Sequence, residues 1–326
     1  MPKSDILQKI SDPLKNLLEL TLIAILAGGI FFAINVKADS QDEMNREFLS
    51  YYSQGRYQEA LDTVNKMLKA SEEKDGKESP PYAAVLEKLA FLDSAQGKYD
   101  EAEKLYTRMI DIYRKTYGEA HPAFAAAVNG LGKLYFQEGK QEDAEIYYNQ
   151  ALDIYKKATD GQSEHLGEVL DELGGLYYLQ GKFSQAQSSY EEAIAALEKV
   201  YGKYSSSLVD TMKRLYEIYF VKGKYDEAEA LCKRELEINE RNYGGGHPRV
   251  SETLGRLAEV YAAQGKYDAA VSNYNNAIKI DRSNLDKYHP RIPMLLTKLA
   301  GVYKKMGNEG KAKRLLQEAQ EIREHK

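Results

Sequence analysis

The residues with chemical potential fall at regular places. Gly-Lys pairs occur at Gly97-Lys98, Gly139-Lys140, Gly181-Lys182, Gly223-Lys224 and Gly265-Lys266. A phosphate-binding loop needs Ser or Thr after such a pair to reach the metal, and none follows here. The pairs therefore read as helix ends. Gly244-Gly245-Gly246 has no strand before it and reads as a flexible loop. His121, His247 and His289 each precede a proline in a linker. Stacked helices lie about 8–10 Å apart, whereas zinc ligands converge to about 2 Å. These histidines therefore suit loop and cap positions, and the expected metal set is none. Cys232 is the single cysteine, so no disulfide can form within the chain. No serine, histidine and acid arrangement follows from spacing. Catalytic and cofactor-binding residues are accordingly expected to be none.

The elements that would hold such residues are bounded by composition. The 326 residues carry 45 Lys and Arg against 50 Asp and Glu, a net charge of −5. That balance supplies no basic field for a nucleic-acid backbone. Residues 1–16 are polar and mixed in charge. Leu20 to Val36 contains no charge, and extension back to Leu17 adds only Glu19. At about 1.5 Å rise per residue such a helix just spans a hydrocarbon core of about 30 Å. Residues 17–38 thus read either as a retained membrane anchor or as a signal peptide cut after Val36-Lys37-Ala38. Both readings place the chain from Asp39 on the extracytoplasmic side, anchored through 17–36 or secreted.

Beyond residue 39 the chain repeats. Glycines recur every 42 residues at Gly55, Gly97, Gly139, Gly181, Gly223, Gly265 and Gly307. Alanine follows five residues later at Ala60, Ala102, Ala144, Ala186, Ala228, Ala270 and Ala312. Tyrosine precedes the glycine by four at Tyr51, Tyr135, Tyr177, Tyr219, Tyr261 and Tyr303, with Asp93 the exception. The period divides the chain into units at about 41–82, 83–124, 125–166, 167–208, 209–250, 251–292 and 293–326. In each, apolar residues at three-and-four spacing predict two amphipathic helices. Val85, Leu86, Leu89, Ala90 and Leu92 mark one; Tyr99, Ala102, Tyr106, Met109, Ile110 and Tyr113 mark the next. Gly97 is expected at a left-handed turn. The alanine suits a close approach of two helix backbones. Pro122 opens the following helix. Cys232 occupies a site held elsewhere by Tyr106, Tyr148, Tyr190 and Tyr274, as a buried thiol would.

Leu131-Gly132, Tyr135, Gly139, Ala144, Tyr148 and Ala151 resemble the tetratricopeptide signature. With Tyr-Gly-x-x-His-Pro linkers, the units are similar to the repeats of kinesin light chains. The resemblance covers about residues 41–326 and implies an all-α, right-handed solenoid of seven helix-turn-helix units. It also implies that the first helix of each unit lines a concave groove that takes partner peptides. The chain departs from kinesin light chains in having an apolar segment where they have a coiled coil, so no motor role is inferred. The lysine, asparagine and arginine set by which some tetratricopeptide domains hold a carboxylate is not assembled here. Of the groove asparagines of kinesin light chains, only Asn129 has a counterpart.

On that resemblance, Phe136, Tyr178 and Phe220 would form an aromatic ladder in three adjacent units, with Ser94 at the same phase. The same aromatics also suit packing against a neighbouring helix. Arg214, Arg256 and Lys298 would flank the ladder and face an acidic segment. The alternative pairs Arg214 and Arg256 with Glu217 and Glu259, three residues further along the same helices. The expected function is a non-catalytic scaffold that binds a protein or peptide. A self-associating, membrane-linked scaffold is the second reading, and an unrecognised enzyme the third.

Overall fold

The computed structural model describes residues 42–159 and 163–324, and all their long elements are helices. Among the described residues, seven helix pairs follow the sequence period. They are α1 (42–53) with α2 (Tyr57–Asp75), α3 (Pro80–Ala95) with α4 (Tyr99–Tyr117), and α5 (Pro122–Glu138) with α6 (Gln141–Ala158). Next come α7 (Glu164–Leu179) with α8 (Phe183–Tyr201), and α9 (Val209–Val221) with α10 (Tyr225–Tyr243). The last are α11 (Pro248–Ala263) with α12 (Tyr267–Asn284), and α13 (Arg291–Lys305) with α14 (Glu309–Glu324). A 3₁₀ turn, Ser206–Leu208, leads into α9.

The punctuation has local causes. Gly139 ends α5 at φ +87°, and its N–H donates to the Phe136 carbonyl. The next amide, of Lys140, donates to the Tyr135 carbonyl at 2.8 Å, so two otherwise orphaned carbonyls are satisfied. The linkers are as regular as the turns. Gly202 and Gly244 sit at φ +82° with ψ 159° and 152°, a region essentially restricted to glycine. The Gly244 amide donates to Glu240 O at 2.9 Å, and its carbonyl accepts from His247 N at 3.2 Å. The expected flexible triple-glycine loop is thus a hydrogen-bonded turn.

The helices group into two compact units, with the break after Thr116. In the first, Phe48, Ala60, Val64, Met67, Val85 and Leu92 form one core cluster across α1, α2 and α3. In the second, each helix from α5 to α14 packs on its successor, and first helices also meet, α5 on α7 and α11 on α13. The alanines of the period are completely buried in both units, Ala102 in the first and Ala144, Ala186, Ala228 and Ala270 in the second. No described helix is long and apolar enough to cross a membrane. The anchor or signal expected at 17–38 lies outside the described residues.

Candidate functional site on the first-helix face

The repeated Gly-Lys pairs serve structure. The lysine after each turn glycine lies over the tyrosine five residues before it. Lys140 Nζ is 5.4 Å from the Tyr135 ring centre and Lys182 5.4 Å from Tyr177. Lys224 is 5.8 Å from Tyr219 and Lys266 5.6 Å from Tyr261. Such contacts contribute about 0.5–1 kcal/mol each at exposed sites. Where Asp93 replaces the tyrosine, Lys98 makes a 3.8 Å ion pair instead. The histidines cap helices. Nδ1 of His121, His247 and His289 accepts the backbone N–H two residues ahead, at 3.1, 3.2 and 3.3 Å. The rings of His121 and His247 stack on Tyr117 and Tyr243. Ser79 and Ser205 cap at the same phase of the period. Among the described residues no three metal-ligating side chains are grouped.

Tyr178 is 38% exposed and its ring meets Phe183, the first residue of the next helix, edge to face at 5.6 Å. Phe220 is half-buried between Tyr216 and Tyr225, and Phe136 is also half-buried. Two of the three aromatics thus brace the turn of their own unit while keeping an outer edge. Ser94, at the same phase in α3, is buried.

The cations are all engaged, though not by the carboxylates expected. Arg214 on α9 pairs with Asp171 on α7, one unit back, and Lys298 on α13 pairs with Glu259 on α11. Arg256 on α11 is held by Glu235 of α10 and by Glu252 at 2.9 Å. Neither expected pair, Arg214 with Glu217 or Arg256 with Glu259, forms. Adjacent first helices stand close enough for rungs between units, as Lys133 to Glu172 at 2.7 Å and Lys213 to Glu252 at 3.3 Å also show.

Between α9, α11 and α13 this face opens into a pocket of about 370 Å³. Its walls include Glu217, Glu252, Arg256, Glu259, Met294 and Lys298. Behind it lies a polar core that escaped sequence reading. Glu235, 1% exposed, accepts from Arg256 and from the Thr253 hydroxyl at 3.0 Å, and the Asn239 amide donates to Thr253 Oγ1 at 3.1 Å. A signal was available. Glu235 stands in phase with Met109, Ala151, Ala193, Ala277 and Ala319, a buried apolar site in those units. A second anomaly accompanies it. Gly132 and Gly174 lie beneath Tyr148 and Tyr190, which leave no room for a Cβ. In the fifth unit the sizes are exchanged: Tyr216 replaces the glycine and Cys232 the tyrosine, both buried in one cluster. Burial pushes the Cys232 thiol up to about 12.

The tetratricopeptide repeat profile matches residues 49–115, 82–157, 125–199, 208–283 and 250–325, and the chain belongs to that family. No curated protein matches its sequence. Among solved structures it is similar to BtubC (BKLC) from P. vanneervenii, with 20% identity and a TM-score of 0.59 over 74% of this chain and 91% of that one. A Podosopora anserina protein with putative kinesin light chain repeats matches at 22% identity and TM-score 0.54, covering 63% and 96%. The Pyrococcus horikoshii signal-transduction ATPase, whose tetratricopeptide repeats are described as a sensor, matches at 19% and 0.65, covering 84% and 40%. At these identities the likeness is one of fold.

Proposed function

We propose that this chain is a non-catalytic protein-binding scaffold whose second unit receives a partner segment on its first-helix face. The observation that carries this reading is the open pocket between α9, α11 and α13, walled by charged side chains that are already oriented by ion pairs. Preorganised polar groups cost less to immobilise on binding. Tyr178 and Phe220, with Phe136, offer partly exposed aromatic edges in successive units, suited to a segment laid across the helices. Arg214, Arg256 and Lys298 act here as supports for the carboxylates as much as direct contacts.

The test compares proteins retained from a native extract by the full chain and by Tyr178→Ala/Lys298→Ala. Both residues are partly exposed, so the variant keeps the helical circular dichroism of the parent. A partner retained by the parent and lost by the variant supports the reading; identical retention refutes it.

The apolar run at 17–36 supports export, with the repeats held at a membrane or released. N-terminal sequencing of the mature protein separates these, since a start at Asp39 means cleavage. A retained Met1 with the protein in the membrane fraction means an anchor, and a retained Met1 in the soluble fraction rejects export. Self-association is the second reading. A groove of about 750 Å³ beside α14, with Leu285, Tyr288, Ile292 and Ile322 in its walls, favours it. A monomeric mass at micromolar concentration rejects it.

A further inference from the structure

The pocket between α9, α11 and α13 has one wall group with unspent charge. Arg256, Lys298 and Lys213 each hold a carboxylate already, and Arg291 is engaged by the buried Asp281 at 2.7 Å. Glu252 and Glu259 are accounted for in those pairs. Glu217 is the exception: no cation among the described residues lies within ion-pair distance of it. Partial desolvation at the wall, then the neighbouring Glu259, raise its carboxyl above the usual range. Arg256 and Lys298 act on it only from further off. Met294, on α13 in the wall of the same pocket, is 43% exposed and offers an apolar surface.

We propose that this pocket receives a basic side chain, arginine or lysine, of a partner peptide, with its charged head on Glu217 and its aliphatic stem along Met294. The inference rests on the first-helix face being the binding face, and it reverses the acidic partner that Arg214, Arg256 and Lys298 suggest by their residue types. The chemistry follows from the pairing. A carboxylate ligand would have to displace Glu252 or Glu259 from its cation, whereas a guanidinium or ammonium group meets a carboxylate that has none. Long basic side chains combine an apolar stem with a charged head, which matches the two wall groups. A volume of about 370 Å³ is at the small end for ligand pockets and suits one long side chain.

The experiment titrates the full chain, labelled with ¹³C at its methionine methyls, with blocked glycine pentapeptides whose central residue is arginine, lysine, glutamate or alanine. The Met294 resonance is assigned from Met294→Ile. The basic peptides are expected to shift Met294 in the parent. Glu217→Gln should weaken that binding at least about fivefold, in line with loss of a charge-assisted hydrogen bond. Glu217→Lys should abolish it. Matched thermal melts show that both variants are folded. Stronger binding of the glutamate or alanine peptide, or unchanged binding by Glu217→Gln, overturns the inference and leaves the pocket standing as a binding site. A Met294 signal that no peptide moves overturns both.

Discussion

The fourth and fifth repeats have the same two helices in the same register, yet their interiors are built on different principles. In the fourth, Gly174 lies under Tyr190, and Ala193 and Leu197 complete an apolar seam. In the fifth, Tyr216 and Cys232 exchange the large and small roles, and Glu235 and Asn239 stand where Ala193 and Leu197 stand one unit earlier. The first interior requires only that apolar side chains fill the volume without clashing. The second also requires that Arg256, Thr253 and Glu235 find one another, because an unpaired buried charge is far more costly than an unfilled methyl site. One fold therefore accommodates both an apolar and an ionic seam, and the ionic one lies directly behind the pocket.

Removing a single member of the ionic seam gives the largest expected effect. Arg256→Met leaves Glu235 buried without its cation and should cost about 3–5 kcal/mol in urea unfolding. Glu235→Ala/Arg256→Met, which removes both charges of the pair, should recover most of that loss. Additive costs in the double variant would show that the two residues act separately.

The size exchange is next. Tyr216→Gly opens a cavity and should cost about 3–5 kcal/mol, while Cys232→Tyr alone overfills the seam by about 1–3 kcal/mol. Together they recreate the fourth repeat and should fall well short of the sum. In the parent the thiol is buried and remains protonated at neutral pH, so thiol reagents should label it only after unfolding. Rapid labelling of the native chain would contradict this packing.

A smaller difference separates the latches that tie each second helix to the turn of the next unit. Gln187, a neutral amide, accepts from Lys222 at 3.1 Å and Lys224 at 3.4 Å, whereas the equivalent Glu229, a carboxylate, accepts from Lys266 at 3.0 Å and Lys233 at 2.7 Å. The Lys233 hydrogen bond, then that of Lys266, holds the Glu229 carboxyl down to about 2. Its stabilisation is complete above the unfolded value of about 4.3 and disappears as pH falls from there towards 2. Solvent screening limits the effect to about 1 kcal/mol or less. Glu229→Gln should flatten the melting temperature over that acid range, and Gln187→Glu should steepen it. No change in slope would mean that the lysines are not closed on Glu229 in solution.

Much of this was legible in the residues themselves. The 42-residue phase located every turn glycine, the crossing alanines and both helices of each pair, since these depend on short-range backbone geometry and steric fit. The His-Pro linkers pointed to helix starts, and the site of Cys232 to burial. The ion pairs were not legible. Arg214 and Arg256 have glutamates three residues along their own helices, yet they bind Asp171 and Glu235. Which carboxylate a flexible cation reaches depends on how neighbouring helices are turned towards each other, and spacing along one helix does not contain that angle. The exchange of Tyr216 with Cys232 was visible as two separate irregularities 16 residues apart. Only their meeting in one cluster makes them a compensating pair. The sequence by itself thus determined the repeat, its caps and its close contacts, all of which follow from local conformation and residue size. The tertiary structure alone decided which charges neutralise one another and left Glu217 with none, because that balance is settled across helices about forty residues apart.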